Sequence, residues 1–325
     1  MVRFAVIGTN FITDSFLEAG AECEGFKAQA VYSRTMERAK EYAEKYGIED
    51  CYDSLEDLAE APDIDAVYVA SPNALHASQS IQMMEAGKHV LCEKTIASNS
   101  KELKEMLETA ERNHVVLLEA MRPVFDPGFA AIQENLPRLG KIRRATFQYC
   151  QYSRRYDHFK EGIIENAFKP ELSNGALMDI GVYCVHPLVK LFGKPKEVYA
   201  HGLKLSTGVD GSAVIVAMYE EMQAELLYAK ITQSALPSQI QGEEASMIIR
   251  EIPDTTSIEI VKRDGTSEKI DIRKKENNMY YEVEEFIRLI EEKKSAREHN
   301  QYSVWSLEVM DEARQQMGIH FPADD

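Results

Sequence analysis

The sequence predicts an α/β fold: a doubly wound parallel sheet first, then an α+β domain on a large, open, mainly antiparallel sheet. Three observations carry this expectation. The first 121 residues alternate apolar strands with amphipathic helices at the spacing of βαβ units. Beyond them, strands lengthen and alternate apolar with polar positions, the pattern of antiparallel strands with one wet face. A chain of 325 residues also exceeds what one hydrophobic core usually organises. Two domains are expected, 1–121 and 122–325.

Each element has its own signal. "RFAVIG" (3–8) reads as a buried parallel strand, and "NFITDSFLEAG" as a helix ending at Gly20. "FKAQAVYS" (26–33) is a second strand, followed by the helix "TMERAKEYAEKYG" with its glycine stop. After the short "CYDS" and "LEDLAEA" come the strand "DAVYVAS" (65–71) and the helix "ALHASQSIQMMEAG". The strand "KHVLCEK" (88–94), the helix "SKELKEMLETAERN" and the strand "VVLLEAM" (115–121) complete six strands, the number of a dinucleotide-binding sheet. The pattern changes at "RPVFDPG" (122–128). "IRRATFQYCQYS", "EVYAHGLKLS", "SAVIVAMYEEMQAELLYAKI" and "SIEIVKRDGTSEKIDI" each read as strand, with Asp264-Gly265 as a hairpin turn. "NMYYEVEEFIRLIEEKK" and "SVWSLEVMDEARQQMG" read as two terminal helices of the second domain.

Bulk properties exclude several classes. A formal net charge of −17 repels phosphate backbones and anionic lipid, so neither nucleic acid nor membrane is an expected partner. No apolar run is expected to cross a bilayer, and the N-terminus lacks a signal-peptide pattern. Five cysteines (Cys23, Cys51, Cys92, Cys150, Cys184) without CxxC spacing suggest reduced thiols in a cytoplasm. With no HxxxH pair either, no metal site is expected.

The chemistry-bearing residues cluster at strand ends. The first strand runs into Gly8, Thr9, Asn10, Phe11, Ile12 and Thr13. A dinucleotide turn would place glycines at 8, 10 and 13. Gly8 is kept, Asn10 tolerates positive φ better than most residues, and Thr13 replaces the third glycine. The turn opens a helix, whose N-terminal amides suit a pyrophosphate. The second strand ends in Ser33 and Arg34, with Arg38 a helical turn on, where an NAD-preferring fold would carry an acid for the ribose 2′-hydroxyl. A hydroxyl and guanidinia suit a 2′-phosphate, so NADP(H) is favoured, with NAD(H) possible. Ser71, Pro72, Asn73 and His76 follow the fourth strand, and Glu93 and Lys94 end the fifth, where ligands of open α/β sheets gather. In "GALMDIGVYCVHP" (175–187), Asp179, Tyr183 and His186 fall at i, i+4 and i+7, one face of an otherwise apolar helix.

Together, "GTNFIT", "YSR", "SPNALH", "CEKT" and "GALMDIGVYCVH", in this order and spacing, resemble the Gfo/Idh/MocA family of NAD(P)-dependent oxidoreductases. The resemblance is nearest to its dimeric dihydrodiol dehydrogenase and NADP-dependent xylose dehydrogenase branch. The family's Glu-Lys-Pro stands here as Glu93-Lys94-Thr95. The family's Lys-Pro bond is often cis, a form that costs about 3–4 kcal/mol more than trans before a non-proline residue. The resemblance implies hydride transfer between the nicotinamide and a secondary alcohol or hemiacetal of a sugar, polyol or dihydrodiol. It also implies that Asp179, Tyr183 and His186 face Lys94 across a cleft, with His76 nearby, and that the chain forms a homodimer or dimer of dimers. Lys94 and Tyr183 are then candidates for proton transfer, and Asp179 and His76 for supporting catalytic roles. Lys94, Asp179, Tyr183 and His186 would contact substrate. The competing reading is a non-catalytic dinucleotide or sugar sensor on the same fold, which would have no need of a proton relay.

Overall fold

The computed structural model describes residues 1–325. In chain order the elements begin β1 (Val2–Ile7), α1 (Phe11–Ala21), β2 (Phe26–Tyr32), α2 (Met36–Tyr46), β3 (Asp50–Tyr52), α3 (Leu55–Glu60) and β4 (Ala66–Val69). They continue with α4 (Asn73–Glu85), β5 (His89–Glu93), α5 (Ser100–Arg112), β6 (Leu117–Ala120), α6 (Pro127–Asn135), β7 (Ile142–Cys150) and α7 (Arg154–Lys160). A π turn, Leu177–Gly181, leads into α8 (Val182–Phe192). Then follow β8 (Glu197–Lys204), β9 (Asp210–Met218), β10 (Gln223–Ala229), β11 (Ser238–Gly242), β12 (Ala245–Ile249), β13 (Ser257–Lys262) and β14 (Ser267–Asp271). The helices α9 (Met279–Glu291) and α10 (Arg297–Met317) come last. The chain divides into two compact units, Met1–Arg122 with Lys275–Gln301, and Pro123–Lys274 with Tyr302–Asp325.

In the first unit, six parallel strands lie in the order β3-β2-β1-β4-β5-β6. Apart from the edge strand β3, their central residues are buried, as expected of a sheet covered on both faces. The order reverses between β1 and β4, so the loops after these strands open a crevice there. Aromatic side chains fill the layer beneath. Phe16 stacks on Tyr68 at 3.8 Å, and Phe4 stacks on Phe26 at 4.9 Å. Phe286 of α9 joins them, 5.9 Å from Phe4. The sequence reading placed all of 122–325 in one domain; residues 275–301 instead pack with the first unit. The reason is the apolar stripe Met279, Val283, Phe286 and Ile287, buried on α1 and its neighbours. Two side-chain amides pin the segment: Asn277 donates to the Ser15 carbonyl at 2.8 Å and Asn300 to that of Leu117 at 2.9 Å.

The second unit holds an eight-stranded sheet in the order β14-β13-β12-β11-β7-β10-β9-β8. Every neighbouring pair is antiparallel except β7 with β10. The stretch 212–231 was expected as one long strand. It is a hairpin, β9 and β10, closed where the Tyr219 N–H donates to the Met222 carbonyl at 2.9 Å. The Glu220-Glu221 pair interrupts the apolar alternation and explains the turn. Gly265, at φ +86°, closes the β13–β14 hairpin at the predicted Asp-Gly pair. The segment Pro170–Phe192 corrects the expectation that no run could cross a bilayer, for its length and its mean hydropathy of 1.3 suffice. It is mostly buried inside this unit, where its second half is the π turn and α8.

Candidate active site

The turn after β1 begins at Gly8, whose φ of +115° only glycine adopts easily. A side chain there would also meet the Ala70 carbonyl oxygen at 2.6 Å, so the bare backbone is what lets the β1 and β4 loops meet at the switch point. Asn10 departs from expectation. Its backbone is extended (φ −111°), and its side chain caps α1, accepting from the Ile12 N–H at 3.0 Å and the Thr13 N–H at 3.4 Å. Its amide donates across the crevice to the Ala70 carbonyl at 2.9 Å. Thr13 is fully buried where the third glycine was looked for. Thr9 receives Arg38, whose Nε donates to the Thr9 hydroxyl and Nη2 to its carbonyl, both at 3.2 Å. Arg38 also pairs with Glu41 at 2.7 Å, so it braces the first turn as well as lying near the end of β2. Arg34 is exposed just past β2, and Ser33 is half-buried beside β3. Phe11 is exposed at the start of α1, and Ile12 follows it. Ser71, Pro72 and Asn73 join β4 to α4, partly open to solvent.

Lys94 is half-buried at the carboxyl end of β5, and the Lys94–Thr95 peptide bond is cis. The residues around it are held from several sides. Glu93 is buried; it accepts from the Tyr68 hydroxyl at 2.5 Å and from the Lys94 N–H at 3.2 Å. Burial pushes its carboxyl above the usual range. His76 was a candidate for catalysis. Its ring is fully buried, with Nδ1 2.9 Å from the Thr95 carbonyl and Nε2 2.8 Å from that of Ser71. Burial lowers its pKa against the two carbonyls, which favour the protonated ring; a neutral ring donates to only one of them, and either way neither nitrogen is turned to the crevice. The sequence reading missed the buried acids near Glu93. Glu119 accepts from the Ile96 N–H at 3.1 Å, and Arg122 donates to Asn278 at 2.9 Å. Glu282 of α9 is wholly buried with neither carboxyl oxygen hydrogen-bonded; burial, with the nearby Glu93, pushes it well up. A "YYEVEEF" run with one glutamate on the apolar stripe was its only signal.

In the second unit, Asp179 lies inside the π turn and Tyr183 and His186 on α8. The strict α-helical stripe read from the sequence is therefore broken: the wide turn adds a residue at Asp179, and π turns are frequent at functional sites. Pro187 loosens the helix again, because it cannot donate to the Tyr183 carbonyl. Tyr183 is 7% exposed and packs edge-on against Tyr149 at 5.8 Å; His186 is buried. Asp179 forms an ion pair with Lys230, just beyond β10. Lys230 was missed, although it extends the buried row Ala224, Leu226, Tyr228, where a lone ammonium is conspicuous. Asp210, buried at the start of β9, accepts from the Leu177 N–H at 2.8 Å, and burial raises its carboxyl to about 6. Gly175, at φ +142°, lies so close that a side chain would meet Asp210 at 2.4 Å. Gly181 packs on the Tyr228 ring. The turn that carries Asp179 is thus seated on β9 and β10.

Comparison with known proteins agrees with this architecture. Residues 2–121 match the profile of the oxidoreductase family with an NAD-binding Rossmann fold, and 135–248 that of the GFO/IDH/MocA C-terminal domain. The chain is 50% identical to scyllo-inositol 2-dehydrogenase (NADP(+)) IolU of Bacillus subtilis, over 100% of this chain and 99% of that protein. It is 30% identical to trans-1,2-dihydrobenzene-1,2-diol dehydrogenase of Xenopus laevis, over 98% and 99% of the two chains. Among solved structures, aldose-aldose oxidoreductase from Caulobacter crescentus, complexed with glycerol, superposes with a TM-score of 0.86. That match covers 97% of each chain at 20% identity, a likeness of fold. The chain belongs to the Gfo/Idh/MocA family of oxidoreductases.

Proposed function

We propose that this protein is an NADP(H)-preferring dehydrogenase of a cyclic polyol or sugar, acting on a secondary alcohol or hemiacetal carbon. The observation that carries the reading is the full-length 50% identity to an NADP(+)-dependent scyllo-inositol dehydrogenase. The residues at the switch point support a dinucleotide. Gly8 leaves backbone room there, the N-terminus of α1 faces it, and the exposed Arg34 beyond Ser33 offers a cation to a 2′-phosphate. When bound, the nicotinamide supplies the acceptor or donor of hydride. The protein must orient the alcohol carbon and move one proton. Lys94 is our first choice for that proton, at the open end of β5 and backed by Glu93. Tyr183, a phenol on α8, is the second. Asp179 and His186 serve substrate hydroxyls. His76 supports the loops and takes no proton from substrate.

We further propose a homodimer, or a dimer of dimers. The sheet face opposite α8 shows Tyr199 and Leu203 exposed, with Val214, Val216 and Leu227 half-buried beside them, an apolar band that a second copy would cover.

The test is a titration with NADPH and NADH, then turnover with scyllo-inositol, other polyols and aldoses. Lys94→Ala and Tyr183→Phe should each lower single-turnover hydride transfer by about 10²–10⁴-fold with NADPH affinity nearly unchanged. The double variant should be scarcely worse than the poorer single one, because groups serving one proton are non-additive. Tight NADPH binding with no turnover on any substrate refutes the reading and favours a sensor, and normal hydride transfer in Lys94→Ala refutes the role given to Lys94.

A further inference from the structure

We propose that Lys230 is a positioning residue of the substrate site: its ion pair holds the Asp179 carboxylate ionised and in one orientation, so that Asp179 only accepts hydrogen bonds from substrate hydroxyls. The inference rests on the reading above, in which Asp179 meets substrate.

Packing alone does not call for a lysine here. The side chain is 7% exposed and continues the buried row Ala224, Leu226, Tyr228. An apolar residue would fill that place without the desolvation cost of a buried ammonium. The lysine backbone is fixed from two sides: its N–H donates to the Gly211 carbonyl at 2.9 Å, and its carbonyl accepts from the Ser153 N–H at 2.8 Å. The ammonium therefore extends from a rigid strand end.

Its partner stands on irregular backbone. Asp179 sits in the π turn, whose start is tied to β9 through Asp210 and the Leu177 N–H. That tie holds the peptide chain and leaves the Asp179 side-chain torsions to other contacts. The ion pair supplies such a contact, at a carboxylate still 29% exposed. A carboxylate beside a cation stays ionised, and an ionised carboxylate accepts without donating. The site would then demand a donor, which a hydroxyl supplies and an ether or a bare CH₂ does not. Sites built to bond a substrate hydroxyl discriminate strongly against analogues lacking it.

The experiment compares Lys230→Arg, Lys230→Met, Asp179→Asn and the double variant Lys230→Met/Asp179→Asn. It uses full-length protein, NADP+ and the best polyol from the turnover panel. Lys230→Met should lower kcat/KM by about tenfold or more, with NADPH affinity unchanged. Lys230→Arg, which keeps the charge, should stay within a few-fold of the parent. In the Asp179→Asn background the Lys230→Met change should cost less than about twofold, since its partner is already gone. Losses that multiply in the double variant, or an arginine variant as poor as the methionine one, would overturn the proposal. Should Lys230→Met fail to fold, the charge-free double variant carries the comparison with Asp179→Asn: equal rates support the proposal, and a lower rate overturns it. Full turnover in Asp179→Asn refutes the substrate-binding role of Asp179 on which the inference rests and leaves the dehydrogenase reading standing, whereas absence of turnover in the parent refutes that reading. An impaired Asp179→Asn beside an intact Lys230→Met refutes the role of Lys230 alone.

Discussion

Asp210→Asn isolates one buried carboxyl and the turn that it seats. The native carboxyl titrates at about 6, raised from 3.8 mainly by burial and held down partly by backbone N–H groups. Because the folded value is the higher one, the native state holds a proton that the unfolded chain has released at pH values between the two. Stability therefore falls as pH rises from 3.8 through about 6, and the loss is complete above it. The whole loss is the difference of 2.2 units between 6 and 3.8, about 3 kcal/mol. Between about pH 5 and about pH 7.5 the remaining part is about 1.4 kcal/mol. Asparagine is nearly isosteric with the protonated acid and keeps an acceptor for the Leu177 N–H. The variant should match the parent below the window and gain on it as pH rises, by about 1.4 kcal/mol between those two conditions. Urea unfolding of parent and variant at both pH values measures this, and the subtraction cancels every other titrating group. Parallel stability–pH profiles, or a variant that loses ground as pH rises, would refute the reasoning.

Glu282→Gln should behave alike in the first unit: the buried acid is held well above its usual range, so the parent loses stability as pH rises from about 4.5, and melting temperatures should favour the glutamine variant increasingly at alkaline pH. Gly8→Ala forces a side chain against the Ala70 carbonyl at φ +115°; a stability loss beyond about 1 kcal/mol and weaker NADPH binding should appear together in thermal melts and titrations. Arg34→Ala should remove most of the preference for NADPH over NADH, measured as the ratio of their dissociation constants, and comparable affinities in the parent would contradict the assignment. Sedimentation at micromolar concentration should give a dimer or tetramer, and Leu203→Glu, on the exposed sheet face, should shift it toward monomer.

The parallel sheet was legible because each strand is an unbroken apolar run buried on both faces, and each helix carries its own stop. The hairpin at 219–222 was hidden because Tyr219 and Met222 keep the apolar pattern on both sides of two glutamates. The place of α9 was hidden for a different reason: an amphipathic stripe says that a helix is buried and is silent on what buries it. At the candidate site, strand-end position found Gly8, Lys94 and His76. It did not distinguish His76, with both ring nitrogens against carbonyls, from a group presented to substrate. Asp179 was visible as a carboxylate in an apolar helix. Its partner Lys230, 51 residues away in sequence, was visible only as a break in strand alternation. The π turn left no mark, since one extra residue in a helix disturbs the backbone and not the composition.

The return of residues 275–301 to the first unit sets the order in which this protein can finish folding during synthesis. When the ribosome has made the six parallel strands, Phe4 still lacks Phe286, and the face of α1 that α9 covers is open to water. That surface stays exposed while some 150 further residues are made, a long-range closure of the kind that slows folding and invites aggregation. A fragment cut after Arg122 would keep every strand of the sheet and still lack part of its core. The smallest excisable dinucleotide-binding piece is therefore discontinuous, and an expression boundary for it has to splice residue 122 to residue 275.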